Sequence, residues 1–239
     1  MRPIEPSAAY RLLLRSYGPR GWWPTTPPHG LRPKYHPGRY APPSPKASLE
    51  ICLGAILTQN TAWLNVERAL ESLNRAGALD VHRLRRIPSR RLQSLIRSSG
   101  YFVQKSIKLK KFAEHVLDKG RPLHLWLRGG SLPDLREELL GIHGVGPETA
   151  DSMLLYAGGR PSFVVDAYTK RIGSRVGWYS KNAGYDDVQK FLALRLRREA
   201  KVFNEFHALI VELAKRHCKT KPDCAQCPLR GGCRTGREL

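Results

Sequence analysis

The sequence is short of acidic residues, and this shortage limits its partners. Only 20 Asp and Glu oppose 41 Lys and Arg, which gives a net charge of +21. No acidic residue occurs between Val81 and Ala113, where ten Lys and Arg lie. A charge excess of this size is typical of proteins that bind polyanions. A basic run can be an ordinary solvated face, but one of this length favours contact with phosphates.

Long apolar runs are also missing. No stretch approaches the ~18 residues of a membrane-spanning helix, and MRPIEPS at the start has no apolar core of a signal peptide. An anionic membrane is therefore a weaker candidate partner than nucleic acid. We expect a soluble monomer without a membrane partner, inside the cell, in the cytoplasm and associated with the nucleoid.

Strand patterns are almost absent, and helical patterns dominate. The one strand candidate, residues 162–165, is too isolated to build a sheet. Apolar residues recur at helical spacing behind Thr61, a candidate cap, and further helices are predicted. The sequence thus predicts an all-α protein, with an irregular arm rich in Pro and Gly over residues 18–45. The other predicted helices cover residues 103–118, 133–140, 147–157, 186–200 and 202–218.

Cysteine is scarce outside the C-terminal segment. Cys52 lies in the apolar run ICLGAIL, which is typical of a small buried hydrophobe. The other four form a C-x5-C-x2-C-x5-C run, which suits one metal centre better than disulfides. Zinc usually takes two CxxC pairs, whereas the irons of a cubane cluster each take one thiolate. Spacing alone leaves both metals open. The four are Cys218, Cys224, Cys227 and Cys233.

A glycine-rich turn lies between two predicted helices, in LLGIHGVGPETA at residues 139–150. Glycine lets the backbone approach a ligand closely, and Pro147 suits the first position of the next helix. Backbone N–H groups at such a turn and helix start can bind one DNA phosphate without reading sequence. An ordinary helix–helix connection is the alternative. The residues assigned to phosphate binding are Gly144, Val145, Gly146 and Thr149.

Three motifs together resemble a known family. GIHGVGPETADSMLLYA, then VVDAYTKR, then the cysteine run resemble the helix-hairpin-helix DNA glycosylases of the endonuclease III type, in that family's order. The resemblance covers nearly the whole chain. It implies two all-helical domains with a DNA-binding cleft between them, and a [4Fe-4S] cluster on the four cysteines. The first cysteine gap has five residues here and usually six in the family. The implied domains are residues 48–160, and residues 1–47 with 161–239.

The resemblance also implies the chemistry. Asp166 matches the family's catalytic aspartate, and a carboxylate is suited to the positive charge that develops on the sugar. The same residue is a candidate helix N-cap. Glu148 stands where bifunctional members have a lysine, and glutamate cannot form the Schiff base of a lyase. Glu148 either helps Asp166 hold water or only favours its helix N-terminus. Lys170 is a weaker candidate amine for residual lyase activity.

To reach the base, a glycosylase must flip the nucleotide out of the duplex and fill the gap that it leaves. Gln59, in LTQNTAW, matches the family's intercalating glutamine, although a polar residue at a helix end is the alternative. GWWP with QNTAW resembles the subgroup that removes alkylated purines such as 3-methyladenine. Indole faces of Trp22, Trp23 and Trp63 would select such a cationic base, and core packing is the alternative for Trp63.

The leading hypothesis is a monofunctional DNA glycosylase of base excision repair that acts on double-stranded DNA with alkylated purines. One alternative is an endonuclease III-type glycosylase for oxidised pyrimidines with weak lyase activity. The other is a DNA-binding homologue without catalysis, which the absent lysine and the Pro-rich insert at residues 25–45 favour mildly.

The metal is directly testable by colour. We expect the purified protein to be brown, with charge-transfer absorption in the visible range, because an iron–sulfur cluster is expected on the four thiolates. Absorption spectroscopy with metal analysis measures this. A colourless protein that contains zinc would contradict the prediction.

Overall fold

The computed structural model describes residues 2–42 and 44–239, and it confirms the all-helical prediction. In this part of the chain, β-structure is limited to one antiparallel bridge between Thr25 and Lys34. A π-helical turn, Met153–Ala157, and two 3-10 turns, Arg97–Ser99 and Arg230–Gly232, accompany the α-helices. These are α1 (Pro6–Tyr17), α2 (Pro45–Leu57), α3 (Trp63–Arg75), α4 (Val81–Arg86), α5 (Ser89–Leu95), α6 (Phe102–Asp118), α7 (Leu123–Arg128), α8 (Leu132–Leu140), α9 (Pro147–Ser152), α10 (Ala167–Val176), α11 (Tyr185–Arg195), α12 (Ala200–Arg216) and α13 (Arg234–Glu238).

The chain divides into two compact units, one of residues 1–22 with 161–239 and one of residues 23–160. We expected residues 23–47 in the discontinuous unit, but they belong to the continuous one. Hydrogen bonds explain the difference. The Thr26 N–H donates to Glu50 Oε2 at 2.9 Å, and Asn74 Nδ2 donates to the Gly30 carbonyl at 3.2 Å.

Helix α2 is the core of the unit of residues 23–160. Every residue of Ala47–Leu57 is buried, and a helix without a polar face must be surrounded. Helices α3, α6, α7 and α9 and the π-helical turn pack around it. Ser44 caps its start by accepting a hydrogen bond from the Ala47 N–H at 3.1 Å. The apolar run that contains Cys52 is therefore buried, as predicted.

Helix α12 is the core of the other unit, and it packs on α1 and α10. Rings of Tyr10, Phe163 and Trp178 surround Phe206, with centroids 5.8, 6.2 and 6.3 Å from its own. The same helix also carries buried polar side chains, which require partners inside the unit. These are Asn204, Glu205 and His207.

Several predicted boundaries shift. Ala62, not Thr61, precedes α3 as its N-cap, and the Thr61 hydroxyl instead accepts a hydrogen bond from Asn65 Nδ2 at 3.3 Å. The helix predicted over residues 186–200 ends at Arg195, and residues 162–165 lie outside any strand. Within the described residues, no helix has both the length and the apolar character that crossing a membrane requires.

The anchor of the Pro-rich arm can be tested with Thr26→Val. The Thr26 hydroxyl donates to Glu50, which is 1% exposed and whose pKa is raised by burial. Loss of a donor to a buried carboxyl should lower the free energy of unfolding by about 1–3 kcal/mol, measured by urea denaturation. Thr220→Val, at an exposed threonine, is the control and should change it by less than about 0.5 kcal/mol. Equal effects would contradict the anchor.

Candidate nucleic-acid interface and active site

The helix-hairpin-helix turn connects α8 to α9 at residues 141–146. Gly144 has φ +83°, in the region that favours glycine. The Val145 N–H donates to the Ile142 carbonyl at 3.0 Å, and its side chain is buried. This corrects the assignment of Val145 to phosphate, because its amide closes the turn internally. Among the described residues, no acceptor is found for the amides of Gly144 and Gly146, so these two can reach a phosphate.

The turn is braced from inside by Gln59. Its Nε2 donates to the Gly144 carbonyl at 3.1 Å and to Thr149 Oγ1 at 3.0 Å, and its Oε1 accepts from Lys108 Nζ. Thr149 is buried, and its hydroxyl supports the turn. The assignment of Thr149 to phosphate binding stays a prediction, and its side chain is engaged by Gln59. In this structure the Gln59 side chain holds the hairpin. Its intercalating role stays a prediction.

A buried lysine fixes the loop before α6. Lys105 is 2% exposed and donates to the carbonyls of Leu57 at 2.8 Å and Ser99 at 2.6 Å. Burial, together with the charge of Lys108, lowers the pKa of Lys105 to about 8. The lysine thus joins the end of α2 to the loop that leads into Tyr101.

Tyr101 is a surface residue that the sequence analysis missed. It has φ +46° and its side chain is 70% exposed. A left-handed conformation is strained for an aromatic residue, and such strain is concentrated at functional sites. The signal in the sequence was an aromatic residue next to Gly100, inside the stretch that has no acidic residue.

Two of the three tryptophans, Trp23 and Trp63, pack together. Trp23 is 7% exposed, and its ring centroid lies 5.3 Å from that of Trp63 and 5.2 Å from that of Tyr156. Trp23 is therefore a core residue, which corrects its assignment to base stacking. Its ring packs over Gly54, whose missing side chain leaves the space. Trp63 is half-buried and donates from Nε1 to Glu67 at 2.6 Å.

Trp22 belongs to the discontinuous unit, where it is half-buried. Its carbonyl accepts a hydrogen bond from Asn204 Nδ2 at 2.8 Å, and its ring meets the His207 ring edge-on at 5.5 Å between centroids. Helix α12 therefore fixes both the backbone and the ring of Trp22.

Asp166 is held at the start of α10 and is the N-cap of that helix, as predicted. Its Oδ1 accepts from the Thr169 N–H at 2.7 Å and from the Thr169 hydroxyl at 2.8 Å, and its Oδ2 lies 3.6 Å from His207 Nε2. Burial alone would raise the pKa of Asp166, but His207 and Thr169 outweigh it and lower that pKa below its ordinary value. The side chain is 15% exposed, so an ionised carboxylate remains reachable.

The two residues that bear on lyase chemistry are placed differently. Glu148 lies exposed in the first turn of α9, and its carbonyl accepts from the Ser152 hydroxyl at 2.7 Å. A carboxylate in the first turn is favoured by the helix dipole. Lys170 lies on α10, and its amine donates to the Ala183 carbonyl at 3.2 Å.

The four C-terminal cysteines line one shared pocket, whose lining also includes Ile172, Val176 and Leu213. Two arginines of α10 hold the surrounding segment. Arg171 donates to the Cys218 carbonyl at 2.9 Å, and Arg175 donates to the Lys219 carbonyl at 2.6 Å and the Thr220 carbonyl at 2.7 Å.

The chemistry of this donor set fits a metal cluster. Burial is the main factor that raises the pKa of Cys227 to about 11, and the charges of Cys224, Cys218 and Cys233 add to it. A cationic centre would let all four thiols ionise. In the described part of the chain, no three His, Cys, Asp or Glu side chains are grouped so that they could hold a metal ion. The four cysteines share one pocket, and thiolates are soft ligands that suit zinc or an iron–sulfur cluster.

Comparison with known proteins identifies the family. The HhH-GPD superfamily of base excision DNA repair proteins matches residues 53–198. A protein of Methanocaldococcus jannaschii, named a "Putative DNA repair glycosylase", is 38% identical over 225 residues, which are 94% of this chain and 93% of the relative. The chain belongs to the HhH-GPD superfamily. The resemblance found in the sequence is confirmed.

More distant relatives share the fold. Endonuclease III of Thermotoga maritima is 28% identical over 188 residues, covering 77% of this chain and 81% of the relative. A non-covalent endonuclease III–DNA complex has a TM-score of 0.74 at 22% identity and covers 97% of this chain and 94% of that one. H. pylori 3-methyladenine DNA glycosylase bound to 1,N6-ethenoadenine has a TM-score of 0.70 at 24% identity, with 89% and 98% covered.

The hairpin turn can be tested with Gly144→Ala. A Cβ at Gly144 would lie 2.4 Å from Lys108 Cγ, so the lysine that donates to Gln59 would have to move. Gly38→Ala is a matched control, since Gly38 has φ +84° and nothing within 4 Å of its Cβ position. We expect each variant to lose about 1–2 kcal/mol of stability from the backbone.

Gly144→Ala should in addition weaken binding to undamaged duplex DNA, measured by fluorescence anisotropy at fixed salt concentration. Gly38→Ala should bind as the parent does. If both variants bind duplex equally well, the turn does not contact DNA.

Proposed function

We propose that this protein is a monofunctional DNA glycosylase that excises alkylated purines from double-stranded DNA. Membership of the HhH-GPD superfamily supports glycosylase chemistry in base excision repair. The observation that carries the proposal is Asp166, a carboxylate held ionised by two donors of Thr169 and by His207, yet still reachable from solvent.

Asp166 would act by charge. Breaking an N-glycosidic bond leaves positive charge on the sugar, and a carboxylate that is already ionised and fixed stabilises that charge without reorganising. Oδ1 accepts two hydrogen bonds from Thr169, whereas Oδ2 lies 3.6 Å from His207 Nε2, so Oδ2 keeps more capacity to interact with the sugar or with attacking water. Water then adds to the anomeric carbon, and the base leaves with its bonding electrons.

Water is the proposed nucleophile because the two candidate amine positions do not support an imine. Glu148 has no amine, and the Lys170 amine already donates to the Ala183 carbonyl at 3.2 Å. An imine needs a free amine near the sugar. The product would be an intact strand with an abasic site, and Glu148 would serve α9 electrostatically.

Alkylated purines are proposed as substrates because they are cationic. An electron-rich indole attracts a cationic ring more strongly than a neutral one. Trp22 is half-buried and fixed by α12, so it can offer a face at low entropic cost, and Trp63 is half-buried as well. Trp23 takes no part in this recognition, because the core encloses it.

We also propose that the four cysteines hold a [4Fe-4S] cluster. Bound there, the cluster would supply the positive centre that lets the half-buried thiols ionise, and it would order the basic segment around it. Arg171 and Arg175 would orient that segment through its backbone carbonyls.

The second candidate is a glycosylase for oxidised pyrimidines with lyase activity. It is favoured by similarity to proteins named endonuclease III, in Bacillus subtilis at 29% identity and in Thermotoga maritima at 28%.

The experiment is a panel of duplex oligonucleotides that each carry one lesion, scored for released base. We expect release of 3-methyladenine and related alkylated purines, strand cleavage only after hot alkali, and no covalent adduct with borohydride. Asp166→Asn should lower the rate of base release by about 100-fold or more, while its binding to abasic-analogue DNA persists. Cleavage without alkali, an adduct, or full activity of Asp166→Asn would contradict the proposal.

A further inference from the structure

The polar residues of α12 form a continuous support for residues 20–22. Glu205 Oε1 accepts the Arg20 N–H at 2.7 Å, and Asn204 Nδ2 donates to the Trp22 carbonyl at 2.8 Å. Both side chains are buried. Buried polar groups are costly unless they are paired, so this arrangement holds the segment before Trp22 in one position.

His207 continues this support toward Asp166. It lies one helical turn after Asn204, it is 4% exposed, and its Nε2 is 3.6 Å from Asp166 Oδ2. Its ring also meets the Trp22 ring edge-on at 5.5 Å. One buried side chain thus touches the candidate catalytic carboxylate and a candidate base-stacking ring.

We propose that His207 is a positioning residue that sets the Asp166 carboxylate against the Trp22 ring and keeps that carboxylate ionised inside the fold. This inference rests on the proposed glycosylase function and adds a residue that acts through Asp166. The carboxylate is fixed on one side by Thr169, which binds Oδ1, and His207 fixes the remaining oxygen. Without it, burial of the carboxylate would be offset by Thr169 alone, and burial favours the protonated form.

Other titratable groups of the same unit lie near this pair. Tyr179 follows α10, and burial together with the charge of Asp166 raises the pKa of its hydroxyl, which donates to the Thr169 carbonyl at 2.8 Å. On α12, Glu205 is engaged by Arg20, and its charge contributes to the raised pKa of Tyr10 on α1. Among these groups, His207 is the one that can place positive charge next to Oδ2.

The sign of the effect follows from this arrangement. His207 and Thr169 lower the pKa of Asp166. Removal of His207 removes part of that effect, so the pKa of Asp166 should rise. The acid limb of the rate of base release, which would report ionisation of Asp166, should then move to higher pH.

The test compares His207→Gln with His207→Leu. Glutamine can still donate a hydrogen bond to Oδ2 but carries no charge, whereas leucine can do neither. The first readout is ¹³C NMR of Asp166 in the DNA-free protein, which needs no activity. We expect the pKa of Asp166 to rise in His207→Gln and to rise further in His207→Leu. In single-turnover experiments below neutral pH, His207→Leu should release the base up to about 100-fold more slowly than the parent. The rate should recover in part at higher pH, and His207→Gln should be less impaired than His207→Leu.

Glu212→Gln is the matched control, since Glu212 lies on the same helix and bonds Arg20 but does not touch Asp166. It should leave the pKa of Asp166 unchanged. If His207→Gln folds with the parent's circular dichroism and the pKa of Asp166 does not move, the inference is wrong. If that pKa moves as expected but no lesion is released by the parent, the proposed function fails and the role of His207 in holding the carboxylate stands.

Discussion

A negative charge inside an apolar fold has to be held by specific partners, and Asp166 shows how this chain does it. The carboxylate caps α10 through Thr169 and faces His207 across its other oxygen. Each contact favours the ionised form against burial. Because the cap is also what starts the helix, the same residue serves folding and proposed catalysis, and the two roles do not compete.

The unit of residues 23–160 contains the opposite case, a buried positive charge. Lys105 is buried, and its amine donates hydrogen bonds to backbone carbonyls at the end of α2 and before Tyr101. Lys108 and Gln59 then brace the hairpin turn. Lys105 and Lys108 belong to the basic stretch that the charge pattern assigns to DNA. Both nevertheless donate hydrogen bonds within the protein and hold its loops in place. Lys105 contributes to the net charge of +21, yet its buried amine is not available to DNA.

Local patterns in the sequence predicted the fold well. Helix existence, the buried character of α2, the cap at Asp166 and the family all follow from residues within a few positions of one another. Two differences from the prediction involve contacts that are distant in sequence. Trp23 packs over Gly54, and the arm bonds to Glu50, so neither position could be assigned from its neighbours. The amide of Val145 is internal because of the turn's own geometry, which a glycine pattern does not specify.

Helix α10 connects two features that were described separately. Asp166 caps its first turn, while Arg171 and Arg175, one and two turns further on, grip the backbone next to Cys218. Damage to the cysteine segment would therefore loosen the helix whose N-cap carries the carboxylate. A sample that lacked the proposed cluster would then imitate a catalytic mutant, so activities should be compared between samples of known metal content.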